Sequence, residues 1–287
     1  ACRKAPSFTT ISRQPCAACC NNEVIEFFQK HDSRICQLSS GLFLSLFMQL
    51  SIITLRSTLF ALFLALITPV FAVIALLTFP LPALTRYRII SLWTHWVMWA
   101  ARVICGIRYR VIGRENIPAE PCIILSKHQS AWETLAFQQI FPPQVWVLKR
   151  ELLRVPFFGW GLAMLSPIAI DRSLRREALQ QLVEQGVQRL AAGFCIVIFP
   201  EGTRIPPGSR GKYRPGGARL AVQTGTTVIP VAHNAGTCWG RNAFLKRPGL
   251  ITVSIGPAMR PDGTDAETLA KRVEDWIEGE MPLLDTR

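Results

Sequence analysis

From Ser57 to Phe79 the chain runs for 23 residues without a charged side chain. At a rise of about 1.5 Å per residue, a helix of that length covers the roughly 30 Å hydrocarbon core of a bilayer. A soluble helix this long needs one polar face, and this run has none. It therefore predicts a transmembrane helix over about 57–79. Pro69 sits inside it, and Pro80 and Pro82 close it, because a residue without an N–H cannot continue the ladder. Arg86 and Arg88 after the run outnumber Arg56 before it, which puts the following chain on the cytoplasmic side.

The next apolar run, Ile89–Ala101, is 13 residues long and too short to span. Trp93, Trp96 and Trp99 recur in it at three-residue spacing. The pattern predicts an interfacial helix over about 89–105, its indoles at headgroup level or packed against the domain that follows. Residues 1–47 mix Ser, Thr, Asn, Cys and isolated charges without a helical or strand period, and they read as a disordered or extraneous extension. A start at Met48 would then open a membrane anchor spanning 48–105. Cys16, Cys19 and Cys20 in the extension have no second pair at ligand spacing, so no metal site is expected.

Beyond Gly106 short β-rich runs alternate with helical ones: Arg108–Ile112, Cys122–Ser126, Val145–Leu148, Pro167–Ile170, Phe194–Phe199, Thr227–Ala232 and Ile251–Ile255. Helical patterns stand out over Leu174–Ala191 and Asp265–Glu280. The expectation for 106–287 is an α/β domain with a central, mostly parallel sheet flanked by helices, preceded by the transmembrane and interfacial helices. Residues 141–260 hold 16 Lys or Arg against 5 Asp or Glu, most of the chain's net charge of +13. A surface so basic faces an anion. Without an RNA-binding aromatic signature, zinc-finger spacing or a basic heptad helix, lipid phosphate is favoured over nucleic acid.

Two strand exits carry candidate chemistry. In Leu125-Ser-Lys-His128-Gln-Ser-Ala-Trp-Glu133, His128 and Glu133 on one helix would stand about 140° apart. The histidine must then precede the helix, with the glutamate in its first turn reaching back. Ser130-Ala-Trp-Glu133 is also a capping box, which would occupy the glutamate without catalysis. The second exit, Phe199-Pro-Glu201-Gly202-Thr203-Arg204, offers a carboxylate, a flexible glycine, a hydroxyl and a guanidinium whose planar fork suits phosphate. Arg210, Lys212, Arg214 and Arg219 follow in a Gly- and Pro-rich stretch that reads as a phosphate-holding loop. The sequence lacks G-x-S-x-G, which disfavours an acyl-enzyme route.

With these blocks in place the chain resembles the glycerolipid acyltransferase family, and within it the bacterial 1-acylglycerol-3-phosphate acyltransferases. The likeness covers about Gly106–Met259: the H-x-x-x-x-D block at His128–Glu133, a second block from Lys149 through Gly159 to Arg172, F-P-E-G-T-R at Phe199–Arg204, and an apolar fourth block at Val228–Val231. The resemblance implies that His128 is the catalytic base and Glu133 its partner. It implies that Lys149, Arg150, Glu201, Gly202, Thr203, Arg204 and Pro230 bind substrate. The implied reaction passes an acyl chain from acyl-CoA or acyl carrier protein, as co-substrate and with no cofactor, to the sn-2 hydroxyl of lysophosphatidic acid at the cell inner membrane. Another lysolipid or glycerol 3-phosphate as acceptor, or an inactive lipid-phosphate binder, stays open. Three positions depart from the pattern: Glu133 for aspartate, Lys127 for asparagine and Ile205 for serine. A cation at Lys127 beside His128 would keep the imidazole neutral.

Overall fold

The computed structural model describes residues 22–171 and 175–284. Helix α1 runs from Asn22 to Leu77, α2 from Ala83 to Ile90 and α3 from Leu92 to Val103. The sheet comprises β1 (Ile107–Ile112), β2 (Ile123–Ser126), β3 (Gln144–Lys149), β4 (Ile168–Ile170), β5 (Cys195–Ile198), β6 (Val228–His233) and β7 (Gly249–Ile255). Between and after the strands lie α4 (Trp132–Ile140), α5 (Phe158–Met164), α6 (Arg175–Ala191), α7 (Gly216–Thr224), α8 (Ala235–Cys238) and α9 (Ala266–Leu284). All seven strands expected from the sequence form, each within two residues of its expected ends.

The strand order is β1-β7-β6-β2-β5-β3-β4, with every pair parallel except β6–β7. The central strands β2, β5 and β6 are buried at every residue, which is why they read as unbroken apolar runs rather than alternating ones. Helices cover the sheet closely. At Gly217 in α7 an added Cβ would fall 2.5 Å from Leu125 Cδ2 in β2, so only glycine lets that helix sit so near the strand. Because β6, β2, β5 and β3 run the same way side by side, the loops leaving their C-terminal ends gather at one edge. That edge is where open α/β sheets place their ligands.

The N-terminal third differs from expectation. Helix begins by Asn22 rather than after a disordered stretch; residues 1–21, with the cysteines at 16, 19 and 20, lie outside the described residues. Phe47–Leu77 is long and apolar enough to cross a membrane, and 17% of its most apolar window is buried against the protein. Ile52–Arg287 forms one compact unit, in which most of the segment expected as an anchor over 48–105 packs on the domain expected over 106–287. One stripe of α1 is the reason. Ser57 Oγ accepts from the Lys246 N–H at 2.9 Å, Phe60 meets Trp239 edge-on at 5.3 Å, and Ala75 is wholly buried. Leu59, Leu62, Leu66 and Val73 remain exposed on the other side.

The interfacial segment is two helices broken at Ser91, and its tryptophans part company. Three-residue spacing drifts about 60° around a helix at each step. Trp93 accordingly turns inward beside Phe158, while Trp96 and Trp99 are each 51% exposed.

Candidate active site

β2 ends at Ser126, and the five residues before α4 make a bend with almost every polar group engaged. His128 stands in it with its ring 14% exposed, and its Nδ1 lies 2.8 Å from Oε1 of the fully buried Glu133. The glutamate is in the first turn of α4, reaching back as the spacing required. The same Oε1 accepts from the backbone N–H of Gln129 at 3.0 Å and of Ser130 at 2.9 Å. Glu133 therefore serves imidazole and cap together. The capping box is half formed, since Ser130 Oγ accepts from Trp132 N–H at 3.0 Å, one residue short of the box position.

Burial alone would push the Glu133 carboxyl up. The neighbouring His233 and His128 rings and the Ser130 N–H outweigh it, and the group titrates below the ordinary glutamate range. An ionised Glu133 makes Nδ1 of His128 the protonated nitrogen and leaves Nε2 with its lone pair. The ring is also fixed from behind, stacked on Phe199 with centroids 3.9 Å apart and planes 13° from parallel.

β5, next to β2, delivers the second loop. Glu201 Oε2 accepts from the His128 N–H at 3.0 Å, and the Ile205 N–H donates to the His128 carbonyl at 2.7 Å. The backbone of His128 is thus clamped on both sides by the Phe199–Ile205 turn. Ile205 acts through its amide, so the departure from serine leaves the clamp intact. Gly202 has φ +68°, a left-handed conformation that makes glycine the fitting residue there.

Several expected roles change on this geometry. Glu201 is buried, and its Oε1 takes hydrogen bonds from Lys127 Nζ at 2.8 Å and Gly211 N–H at 3.2 Å. These bonds make it a strut of the site. Lys127 does not lend its charge to His128 either. Its ammonium is 1% exposed and is taken up by Glu201, by Glu278 of α9 at 2.8 Å and by the Ser209 carbonyl at 3.2 Å. Tyr213 donates to the same Glu278 oxygen at 2.7 Å, its phenol pushed far up by burial and by that carboxylate. Pro230 is packed beside Gly256, outside the lining of the cavity that holds His128. Arg150 is exposed outside the cavity that His128 lines. Arg210 and Arg219, read as phosphate ligands, are paired instead with Glu274 and Glu267 of α9.

That cavity has a volume of about 450 Å³. Its lining brings together the polar side chains of His128, Lys149, Thr203, Arg204 and Arg241 and the apolar ones of Phe71 and Ala72 of α1 with Trp93, Leu162 and Leu165. Arg241 was not anticipated. Its Nη1 donates to the Arg204 carbonyl at 3.2 Å, while Arg204 Nη1 reaches Asn242 Oδ1 at 3.4 Å. Its only sequence signal was a cation in a Gly-Arg-Asn turn, where Asn242 adopts φ +53°.

His233 was also missed. Buried at the end of β6, it accepts from the Ala235 N–H at Nδ1 (3.3 Å), and its Nε2 lies 2.9 Å from the Lys127 carbonyl, to which it donates. Burial lowers its pKa against the pull of Glu133, so the ring is neutral and holds the bend from below.

Residues 108–234 match the family described as Acyltransferase. A 1-acyl-sn-glycerol-3-phosphate acyltransferase of Pseudomonas aeruginosa is 52% identical over 205 residues, 70% of this chain and 80% of that protein. One from Saccharomyces cerevisiae is 32% identical over 59% of this chain and 56% of its own length. The crystal structure of the 1-acyl-sn-glycerophosphate acyltransferase PlsC from Thermotoga maritima superposes with a TM-score of 0.69 at 24% identity, covering 82% of this chain and 97% of that one. With His128, Glu133 and the Phe199–Arg204 turn assembled at one sheet edge, the chain belongs to this acyltransferase family.

Proposed function

We propose that the protein transfers an acyl chain from a thioester, acyl-CoA or acyl carrier protein, to the sn-2 hydroxyl of 1-acylglycerol 3-phosphate, giving phosphatidic acid. The observation that carries this reading is the His128–Glu133 pair on a cavity whose lining combines basic side chains with many apolar ones. His128 Nε2 takes the hydroxyl proton as the oxygen attacks the thioester carbonyl. The new C–O bond forms, the C–S bond breaks, and the proton passes from the imidazolium to the departing thiolate. Buried Glu133 fixes the tautomer and offsets the imidazolium charge, the part an acid plays in a serine hydrolase triad. A base so placed contributes on the order of 10² to 10⁴ in rate.

Lys149, Thr203, Arg204 and Arg241 suit the acceptor's phosphate, and the apolar side chains of the lining suit an acyl chain. The apolar outer side of α1 suits a bilayer, with the domain on the cytoplasmic face of the cell's inner membrane, where Arg86 and Arg88 fall.

Purified protein given radiolabelled acyl-CoA or acyl-carrier-protein thioester and a panel of lysophospholipids and glycerol 3-phosphate should acylate lysophosphatidic acid with the highest kcat/KM. Equal or better turnover of an acceptor without a phosphomonoester would refute the substrate assignment, and turnover of none would leave a lipid-phosphate binder.

A further inference from the structure

Away from the catalytic cavity, α3, the strand β1 and the turn after it enclose a second groove of about 520 Å³. Arg102, Arg108, Arg110 and Arg114 line it, and among the described residues no carboxylate does. Among the described residues none of these arginines forms an ion pair. Arg110 is the most constrained: its Nε donates to Thr252 Oγ1 at 3.0 Å, while its Nη2 is shielded from solvent without an acceptor. A guanidinium nitrogen desolvated with nothing to donate to is unfavourable, and an anion in the groove would relieve it. β1 is also the sheet's edge, paired only with β7, so a row of its backbone groups faces outward.

The rim indicates what kind of anion. Leu92, Trp96, Trp99 and Val103 recur at intervals of four, three and four residues, forming an outward stripe on α3 with each side chain at least half exposed. Trp99 itself lines the groove and touches Phe63 of α1 at 6.3 Å. The basic groove thereby opens onto the apolar surface that α1 continues. An inorganic ion has no use for that stripe, whereas a lipid has both halves.

We propose that this groove binds the phosphate of an anionic phospholipid headgroup, with the lipid's acyl chains along the Leu92–Val103 stripe. It shares no residue with the catalytic cavity, and the proposal does not rest on the chemistry at His128. Arginine rather than lysine at all of these positions fits a phosphate taken by paired N–H donors.

The test uses the full-length protein in neutral detergent micelles, titrated with dioctanoyl phosphatidylglycerol, dioctanoyl phosphatidylcholine or inorganic phosphate. Phosphatidylglycerol should bind more tightly than the other two, and R108Q/R110Q/R114Q should weaken it by at least about tenfold. That variant should keep its acyl-transfer rate in micelles, whereas R204Q should keep the lipid binding. Equal binding of phosphatidylcholine, or of phosphate alone, overturns the proposal. So does a triple variant that self-associates through the bared β1 edge while binding phosphatidylglycerol as before, which would make the arginines guards of the strand.

Discussion

Replacing His128 by alanine removes the imidazole from the catalytic cavity while leaving the backbone clamps at its N–H and carbonyl in place. Turnover should fall by about 10² to 10⁴ with little change in melting temperature; a variant retaining a tenth of its activity would remove His128 from the base role. Arg241→Ala, at a position outside every recognised block, should raise KM for the phosphate-bearing acceptor by about 10- to 100-fold with kcat nearly kept. Steady-state kinetics in which KM is unchanged would leave Lys149 and Arg204 as the phosphate ligands. The two residues also differ in how visible they were beforehand. His128, Glu133 and Arg204 belong to short blocks in which chemistry and local structure coincide. Arg241 and His233 lie over a hundred residues from His128 and reach the site because β6 pairs with β2. No local pattern announces such a neighbour.

At the scale of elements, the sequence displayed every strand, because buried parallel strands and their turns write plain apolar runs. It did not display α5 or α7, which are short and carry glycine at Gly159, Gly161, Gly216 and Gly217. The role of α9 was equally hidden. Its amphipathic period foretold a helix but not that Glu278 enters a cluster with Lys127, Glu201 and Tyr213 beneath the catalytic bend. Glu278→Ala leaves the Lys127 ammonium with one carboxylate and Tyr213 without its acceptor. A loss of about 2–4 kcal/mol in denaturant unfolding is expected, with a lower kcat as the bend loosens; wild-type stability would mean that Glu201 alone suffices. In α1, Ala72 lines the cavity at 4% exposure. Ala72→Phe should shift donor preference toward shorter acyl chains, read from kcat/KM across a chain-length series.

For the molecule as a whole, two buried groups tie stability to pH. His233 has its pKa lowered by burial. The native state then holds fewer protons than the unfolded chain as pH falls below about 6.5, and stability declines from there. His233→Gln, whose amide still reaches the Lys127 carbonyl, should flatten that limb in melting temperature against pH. Glu133, its pKa depressed, adds stability that is complete above the unfolded value of about 4.3 and is lost as pH drops through the native one. Wild type and Glu133→Gln should therefore differ in melting temperature at neutral pH and converge as the pH falls below about 4.3. The two-sided helix α1 has a broader consequence. Phe71 and Ala72 on its inner stripe wall the cavity, while Leu62, Leu66 and Val73 face outward. Helix α1 is therefore not a segment that could be exchanged for any other hydrophobic one. A foreign segment grafted in its place would match its apolar outer side yet leave the cavity breached. Over evolutionary drift the outward leucines are free to trade places with other aliphatics, while the inner stripe must keep step with the enzyme's diet.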